Sequence, residues 1–285
     1  MIVTEQPEEF RELLGRARAE GAVVGLHPTM GALHAGHLAN IRQAAHECDL
    51  AAVTVFVNPL QFGPGEDFEK YPRTLEKDLA AAEDAGADVV LCPPPEAMFP
   101  RAPLTTVAVN GLSRRWEGAS RPGHFDGVAT IVTKLFALAG KCKAYFGEKD
   151  FQQLAVVGRL VADLSLPVDV VACPTVREPD GLALSSRNRY LGQDERRAAP
   201  VLYWALLAGK RSIEEDGVLD GREIERAMVS ACEREPLVEL EYAAAVRPDD
   251  LEPLDEVVLP VRLLIAGRVG RARLIDNVAV EGGGG

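Results

Sequence analysis

Short apolar runs alternate with amphipathic stretches along the first 176 residues. The apolar runs have the length of buried strands, and the stretches between them have the spacing of helices. The strands are predicted at 22–26, 50–57, 88–91, 105–109, 143–146 and 167–171. The helices are predicted at 10–20, 38–45, 72–86, 128–139 and 151–163. This alternation predicts an α/β fold with a doubly wound parallel sheet.

The pattern changes after about Val176. Helices are predicted at 194–210 and 220–234, and strands at 239–246, 256–266 and 269–276, with a hairpin turn at Gly267-Arg268. These elements predict a smaller α+β domain with an antiparallel sheet. We therefore expect one domain over 1–176, a second over 177–281, and a disordered glycine tail at 282–285.

Charge narrows the class of partner. The chain has 285 residues and a formal net charge of −12 at pH 7. Nucleic-acid binding depends on neutralising phosphates with Lys and Arg, so this charge disfavours a nucleic-acid partner. An acidic protein that binds anions must concentrate its cations locally, and basic residues beside a motif are therefore informative.

We expect neither export nor a membrane span. No run approaches about 18 apolar residues, and residues 1–11 lack the basic-then-apolar order of a signal peptide. The five cysteines are widely spaced, with no Cys-x-x-Cys pair. This pattern favours reduced thiols over disulfides or a zinc site, and hence a cytoplasmic location.

The most informative stretch is 28–37, which carries the first predicted strand into the following helix through a glycine-bearing turn. A helix N-terminus presents unpaired N–H groups and a partial positive charge, so it can bind phosphate. His34 and His37 share a face there and can donate hydrogen bonds to oxygens that gain charge during phosphoryl or nucleotidyl transfer. A helix cap and a structural zinc pair are the alternatives, and the zinc pair lacks further ligands at usable spacing.

Two other basic turns have both a functional and an ordinary interpretation. In the stretch 147–153, Lys149 can reach a phosphate as a point charge, whereas Asp150 and Gln153 can instead form a capping box. In the stretch 184–189, two serines and an arginine can clamp a phosphate, but serine-rich turns are also common in loops.

Polar residues follow the second strand and precede a later helix. Asn58 and Gln61 can hold a small polar substrate, although Asn58-Pro59 is also a usual way to open a turn. The stretch 121–124 can bind an anion or simply start a helix. Since most of these polar turns follow predicted strands, we expect those turns to gather at one edge of the sheet.

Together these motifs resemble the pantothenate synthetase (pantoate–β-alanine ligase) family. The resemblance rests on the stretches 28–37, 58–63, 121–127, 147–154 and 176–191, in the family's order and approximate spacing. It implies the Rossmann-like fold of the HIGH-type nucleotidylyltransferases, with a nucleotide- and pantoate-binding first domain and a C-terminal lid. One departure is Leu184, where many relatives carry methionine; both side chains are apolar and similar in size.

The resemblance also implies an activity and the residues that perform it. The reaction would join pantoate to β-alanine with ATP, through a pantoyl adenylate, giving pantothenate, AMP and pyrophosphate. His37 would be the proton donor, assisted by His34, Lys149 and Arg187, and Gln61 and Gln153 would bind pantoate, with Gln61 also near β-alanine. The implied ATP contacts are Met30, Gly31, Ala32, Leu33, His34, Ala35, Gly36, His37, Gly147, Glu148, Lys149, Asp150, Val176, Leu184, Ser185, Ser186 and Arg187.

A magnesium ion would accompany ATP, with Asp78 as a possible ligand, and a homodimer would be the usual assembly. Two other functions stay open at this point. A small aminoacyl-tRNA-synthetase-like enzyme shares the histidine motif, but the −12 charge and the absence of a basic RNA-binding domain oppose it. A non-catalytic nucleotide sensor would keep the fold, but the full set of His, Lys and Arg candidates opposes that function.

Overall fold

A computed structural model describes residues 1–63, 66 and 68–282. The chain forms two compact units. The first contains Met1–Glu148 and Gln152–Pro174, and the second contains Lys149–Phe151 and the chain from Thr175 onward. Whether these units act as the predicted nucleotide-binding domain and lid stays a prediction.

A parallel sheet runs through the first unit. In the described residues its six strands are β1 (Ile2–Thr4), β2 (Val24–Thr29), β3 (Leu50–Val55), β4 (Val89–Leu91), β5 (Cys142–Gly147) and β6 (Val168–Cys173), ordered β1-β4-β3-β2-β5-β6. From β2 the chain winds outward through β3 to β4, and from β5 it winds the other way to β6. Strand order therefore reverses between β2 and β5, the position at which ligands bind in such sheets. The predicted doubly wound fold is confirmed.

The helices of this part of the chain are α1 (Pro7–Ala19), α2 (Ala35–Glu47), α3 (Leu75–Asp84), α4 (Pro95–Met98), α5 (Glu117–Ser120), α6 (His124–Ala139) and α7 (Phe151–Asp163). Small and branched apolar side chains join two of them to the sheet. Ile41 of α2 and Ala82 of α3 are fully buried in one cluster with Val53 and Val90 of the strands. Fully burying a side chain such as Ile41 stabilises the fold by roughly 1.5–3 kcal/mol.

Two details of the first sheet differ from the prediction. The stretch 105–109 is not a strand, because Val107 donates its N–H to the Thr130 hydroxyl of α6 (3.0 Å) instead of joining a ladder. The edge strand β1 has only three residues, too few for a recognisable pattern, and was missed.

The second unit packs helices on an antiparallel sheet. Its elements are α8 (Gln193–Ala198), α9 (Val201–Glu214), α10 (Gly221–Cys232), β7 (Val238–Val246), β8 (Val261–Val269) and β9 (Ala272–Val280), with sheet order β7-β8-β9. Leu206, Ile224, Met228, Leu263 and Ile265 form the middle of its core. The predicted α+β class is confirmed for this unit.

The predicted hairpin turn was wrong by three residues. The turn lies at Gly270-Arg271, where Gly270 has φ +57°, and Gly267 sits inside β8 opposite Leu274. The single predicted helix 194–210 is two helices, because Pro200 has no N–H to continue the ladder. Gly282 is exposed, and the rest of the predicted glycine tail lies outside the described residues.

None of the described helices combines the length and apolarity that crossing a lipid bilayer requires.

Candidate active site

The buried carboxylate of Asp78 holds the turn that follows β2 through hydrogen bonds to its backbone. Gly31 has φ +81° and Ala32 has φ +50°, so the backbone is left-handed at two successive residues. The two oxygens of Asp78 accept hydrogen bonds from the N–H groups of Ala32 (2.9 Å) and Leu33 (2.8 Å). The Thr29 hydroxyl accepts the N–H of Gly31 (3.1 Å). These contacts fix the stretch that the resemblance assigns to ATP.

Asp78, which the resemblance suggested as a magnesium ligand, holds the backbone of this turn. Its carboxylate is only 3% exposed and also accepts a hydrogen bond from the Thr74 hydroxyl (3.1 Å). Since both oxygens are committed to the turn and α3, we assign Asp78 to backbone positioning rather than to magnesium. Across the described residues, no cluster of three His, Cys, Asp or Glu side chains is arranged to hold a metal.

The two histidines cap helix α2 with one ring nitrogen each. Nδ1 of His34 accepts the N–H of Gly36 (3.2 Å), and Nδ1 of His37 accepts the N–H of His34 (3.3 Å). The rings stack with centroids 4.0 Å apart. Because a backbone N–H can only donate, each neutral ring carries its proton on Nε2. The capping interpretation and the proton-donor interpretation are therefore compatible, since they use opposite nitrogens.

A third histidine, which sequence reasoning missed, lies behind this pair. His27 is 3% exposed in β2, and its ring centroid is 5.9 Å from that of His37. Nδ1 donates to the Tyr145 carbonyl (2.8 Å), while Nε2 is buried with no hydrogen-bond partner among the described atoms. Burial, assisted by His34, lowers the pKa of His27 to about 4. A polar residue next to a proline in an apolar run was the available signal.

Gln61 is a buried amide next to the same turn. It is 7% exposed, and its Nε2 lies 2.8 Å from the Met30 sulfur. Its Oε1 accepts from Asn58 Nδ2 (3.1 Å), which also donates to the Gly127 carbonyl (3.1 Å). Asn58 Oδ1 accepts the N–H of Leu60 (3.2 Å), so the turn-opening interpretation of Asn58 is correct. The structure thus brings Gln61 and Met30 together and uses Asn58 to orient the amide.

The stretch 121–124 supports Gln61 and starts helix α6. His124 donates from Nδ1 to the Gln61 carbonyl (2.8 Å), and its Nε2 accepts from Arg121 (3.0 Å). Burial, followed by the charge of Arg121, lowers the pKa of His124 to about 4, so the ring is neutral. Arg121 pairs with Glu66 through Nε (2.7 Å) and a second nitrogen (2.8 Å). The helix-start interpretation is confirmed, and the guanidinium is engaged by a carboxylate of the protein.

Two adjacent glutamines on α7 have different surroundings. Gln152 is 5% exposed and holds the segment around α5, donating to the carbonyls of Leu112 (2.7 Å) and Arg115 (2.9 Å) and accepting the Glu117 N–H (3.0 Å). Gln153 is half-buried, and its side chain makes no hydrogen bond to any described residue. Gln153 therefore has its full hydrogen-bonding capacity for a substrate.

The second unit holds the candidate residues Lys149, Asp150, Val176 and 184–187, whereas Gly147 and Glu148 belong to the first. The Leu184 N–H donates to the Val176 carbonyl (3.0 Å), so these two predicted ATP contacts are neighbours in a short hairpin. Ser185 caps the 3-10 helix Ser186–Tyr190 by accepting the Arg187 N–H (3.3 Å). Lys149 Nζ lies 3.3 Å from an Asp150 oxygen, in the 3-10 turn that follows β5. The structure thus places Val176 next to the stretch 184–187.

Comparisons with known proteins agree on one family. The family model described as pantoate-beta-alanine ligase matches residues 2–279. Pantothenate synthetase of Rubrobacter xylanophilus is 53% identical over 284 residues, covering 96% of this chain and 97% of the relative. A crystal structure of pantothenate synthetase from Thermus thermophilus aligns with a TM-score of 0.93 at 48% identity, covering 99% of this chain and 100% of that one.

A third comparison adds a liganded structure. Pantoate-beta-alanine ligase from Francisella tularensis, described as complexed with beta-gamma ATP and beta-alanine, aligns with a TM-score of 0.80 at 31% identity. It covers 98% of this chain and 97% of its own. The family model and the closely matching relatives span nearly the whole chain. The chain therefore belongs to the pantoate–β-alanine ligase family.

Proposed function

We propose that this protein makes pantothenate through a pantoyl adenylate, with the residues around β2 acting on the phosphates of ATP. Membership of the family establishes the overall reaction, the ATP-dependent condensation of pantoate with β-alanine, and sets aside the synthetase-like and sensor functions. The observation that carries the proposed mechanism is the pair of histidines that cap α2, His34 and His37. They lie at the helix N-terminus, beside the point where the strand order of the sheet reverses.

The reaction has two steps. In the first, a pantoate carboxylate oxygen attacks the α-phosphorus of ATP, the bond to the bridging oxygen breaks, and pyrophosphate leaves. In the second, the β-alanine amine attacks the acyl carbon, AMP departs with the carboxylate-derived oxygen, and the amine loses a proton. The first step depends mainly on positioning and on stabilising charge.

The histidines serve the first step through Nε2. Because Nδ1 of each ring accepts a backbone N–H, Nε2 carries the proton and is the donor. His37 acts as proton donor to the phosphate oxygens, and His34 stands beside it. The positive end of the α2 dipole, at these two histidines, adds to the stabilisation.

Amides suit the binding of the pantoate nucleophile. An arginine paired bidentately with the carboxylate would stabilise the ground state and lower its reactivity. Gln61 and Gln153 offer hydrogen bonds without a full charge. Gln61 also takes β-alanine, which is consistent with the β-alanine described in the Francisella tularensis complex.

The end of β5, the turn after it and the stretch from Val176 onward supply charge and further nucleotide contacts. The positive charges of Lys149 and Arg187 stabilise the negative charge of the phosphates. Ser185 and Ser186 donate hydrogen bonds to the phosphate oxygens. Gly147, Glu148, Asp150, Val176 and Leu184 complete the ATP contacts. ATP itself is supported by the Francisella tularensis complex. Magnesium would accompany ATP, since this ion is usually held by substrate phosphates with few protein ligands.

Assembly and location are part of the proposal. A homodimer rests on the resemblance and is tested by light scattering of the purified protein. A cytoplasmic location is supported by the five cysteines, which are all free thiols, a state that a reducing compartment maintains.

The direct test is pantoate-dependent exchange of labelled pyrophosphate into ATP, with His37→Gln as the variant. Glutamine at this helix position can still accept the His34 N–H, so the cap is kept while the imidazole is lost. We expect exchange to fall by roughly 10²–10⁴-fold, with the free energy of unfolding changed by less than about 1 kcal/mol.

His46→Gln, an exposed position on the same helix, is the matched control and should exchange normally. Near-normal exchange in His37→Gln, or equal losses in the two variants, would contradict the histidine role. Absence of exchange with pantoate in the parent enzyme would contradict the adenylate.

A further inference from the structure

Asn277 in β9 reaches the backbone of the proposed catalytic lysine. Its Nδ2 donates to the Lys149 carbonyl (2.9 Å), although the two residues are 128 positions apart. Its Oδ1 accepts from Arg262 (3.0 Å), and the side chain is buried, at 4% exposure. A carbonyl only accepts and a guanidinium only donates, so a single orientation of the amide satisfies both partners.

Arg262 of β8 holds the other end of the same short segment. Its guanidinium carbon lies 3.9 Å from the centroid of the Phe151 ring, in cation–π geometry. Asn277 thus binds Lys149 and Arg262 contacts Phe151, from two adjacent strands. Through these contacts the segment Lys149–Phe151 belongs to the second unit, although Glu148 and Gln152 on either side belong to the first.

The neighbouring residue, Asp276, binds a second segment of the proposed ATP site, the one that contains Val176. It pairs bidentately with Arg177 (2.5 and 2.9 Å), which follows the predicted ATP contact Val176. Arg177 also donates to the Asn277 carbonyl (3.3 Å) and stacks on Tyr203 at 4.0 Å. Asp276 is buried and Arg177 is half-buried, so breaking the pair would leave a buried charge without its partner.

A third segment also meets β9. The 3-10 helix Ser186–Tyr190, which contains Arg187, packs against this strand. Three stretches assigned to ATP, at 149, 176 and 186–187, are therefore organised by one C-terminal strand. Asp276 and Asn277 provide the polar contacts to the first two.

We propose that Asn277 is a positioning residue for Lys149, holding its main chain so that the ammonium group meets the ATP phosphates during adenylation. The proposal rests on the proposed role of Lys149. Asn277 would act through Lys149, whose carbonyl it holds. A small displacement of a charged group can cost up to about 100-fold in rate, so one backbone hydrogen bond can matter to catalysis.

The test uses Asn277→Asp in the full-length enzyme. Aspartate keeps the size of the side chain and its bond to Arg262, but places an oxygen where Nδ2 donated to Lys149. We expect at least a tenfold fall in pantoate-dependent pyrophosphate exchange at saturating ATP, with the KM for pantoate within twofold of the parent. A fall of threefold or less would overturn the proposal.

A structural control separates positioning from general loss of stability. Leu274→Ala on the same strand creates a core cavity (Leu274 is 5% exposed) and leaves the Asn277–Lys149 contact in place. If Leu274→Ala lowers the unfolding midpoint as much as Asn277→Asp but keeps its exchange rate within threefold, positioning is supported. Equal losses of exchange at equal loss of stability would overturn it.

A double-mutant cycle distinguishes the two levels of the proposal. In a Lys149→Ala background, Asn277→Asp should lower exchange by less than twofold, because the group it positions is gone. An unchanged tenfold effect in that background would overturn the role of Asn277 alone. Near-normal exchange in Lys149→Ala by itself would overturn the proposed role of Lys149, and the inference with it.

Should Asn277→Asp fail to fold, Asn277→Ala is measured in the same cycle. Alanine removes the donor for the Lys149 carbonyl. Its effect on exchange must likewise disappear in the Lys149→Ala background.

Discussion

Single residues in the proposed site serve the fold through some atoms and leave others for the proposed chemistry. His34 and His37 each cap α2 with Nδ1, which leaves the proton on Nε2. Both carboxylate oxygens of Asp78 accept hydrogen bonds, from the N–H groups of Ala32 and Leu33. A carboxylate placed near a phosphate site suggests a metal ligand from sequence, but its hydrogen bonds assign it to the turn.

Asp78→Asn should therefore destabilise the protein and lower its activity. One carboxylate oxygen becomes an NH₂ group that faces a backbone N–H, which leaves a buried donor unsatisfied at a cost of about 1–3 kcal/mol. Urea denaturation and pyrophosphate exchange measure the two effects. Asp84→Asn, exposed on the same helix, should change neither. An unchanged unfolding free energy in Asp78→Asn, together with weaker magnesium dependence, would restore the metal assignment.

Close approach between elements positions Gln61. Helix α6 crosses the 3-10 helix Pro59–Gln61 at Gly127, where a Cβ atom would overlap the Leu60 carbonyl and lie 2.6 Å from the Gln61 nitrogen. His124, at the start of α6, holds the Gln61 carbonyl (2.8 Å). The helix-start motif would therefore act on the proposed binding of pantoate through the backbone of Gln61.

Gly127→Ala should push this loop away from α6 and raise the KM for pantoate at least tenfold. The physical reason is the backbone overlap, which no side-chain rotation can relieve. Gly158→Ala on α7 is the control, because a Cβ there meets no atom within 4 Å. That variant should keep its KM and gain roughly 0.5–1 kcal/mol of stability from the loss of chain entropy. Equal KM values in the two variants would refute the close-approach argument.

At the scale of the whole molecule, two histidines, buried His27 and half-buried His124, link stability to pH. The pKa values of His27 and His124 fall from 6.5 to about 4 on folding, mainly through burial. The unfolded chain therefore binds more protons than the folded one between about pH 4 and pH 6.5. Stability is at its full value above this range and falls as the pH is lowered through it.

Each histidine should cost about 3 kcal/mol of stability across that range, since one pKa unit corresponds to about 1.4 kcal/mol. Thermal unfolding of the parent and of His27→Leu, at pH 7.5 and pH 5, measures the difference. We expect the variant to lose less stability between the two pH values than the parent does. His46→Gln, at an exposed site, should follow the parent, and an identical pH dependence in His27→Leu would contradict the assignment.

Local patterns predicted the parts of the fold that depend on local physics. The run 22–26 and the helical stretch after it specify a strand and a helix because burial periodicity and backbone preference act over a few residues. The same reasoning was wrong at 105–109, where Val107 bonds to a threonine hydroxyl of α6. It was also wrong at Gly267, which could serve a turn or a strand until its partners in β7 and β9 were known.

By itself the sequence determined the α/β and α+β classes, the strand-to-helix turn with its two histidines, and, through motif resemblance, the family. Only the tertiary structure decided which nitrogen of each histidine carries the proton, that Asp78 belongs to the turn, and that His27 lies behind His37. Only the tertiary structure joined Asn277 to Lys149, across 128 positions. The physical reason is that periodicity and turn chemistry are short-range, whereas hydrogen-bond partners and burial depend on contacts between distant segments.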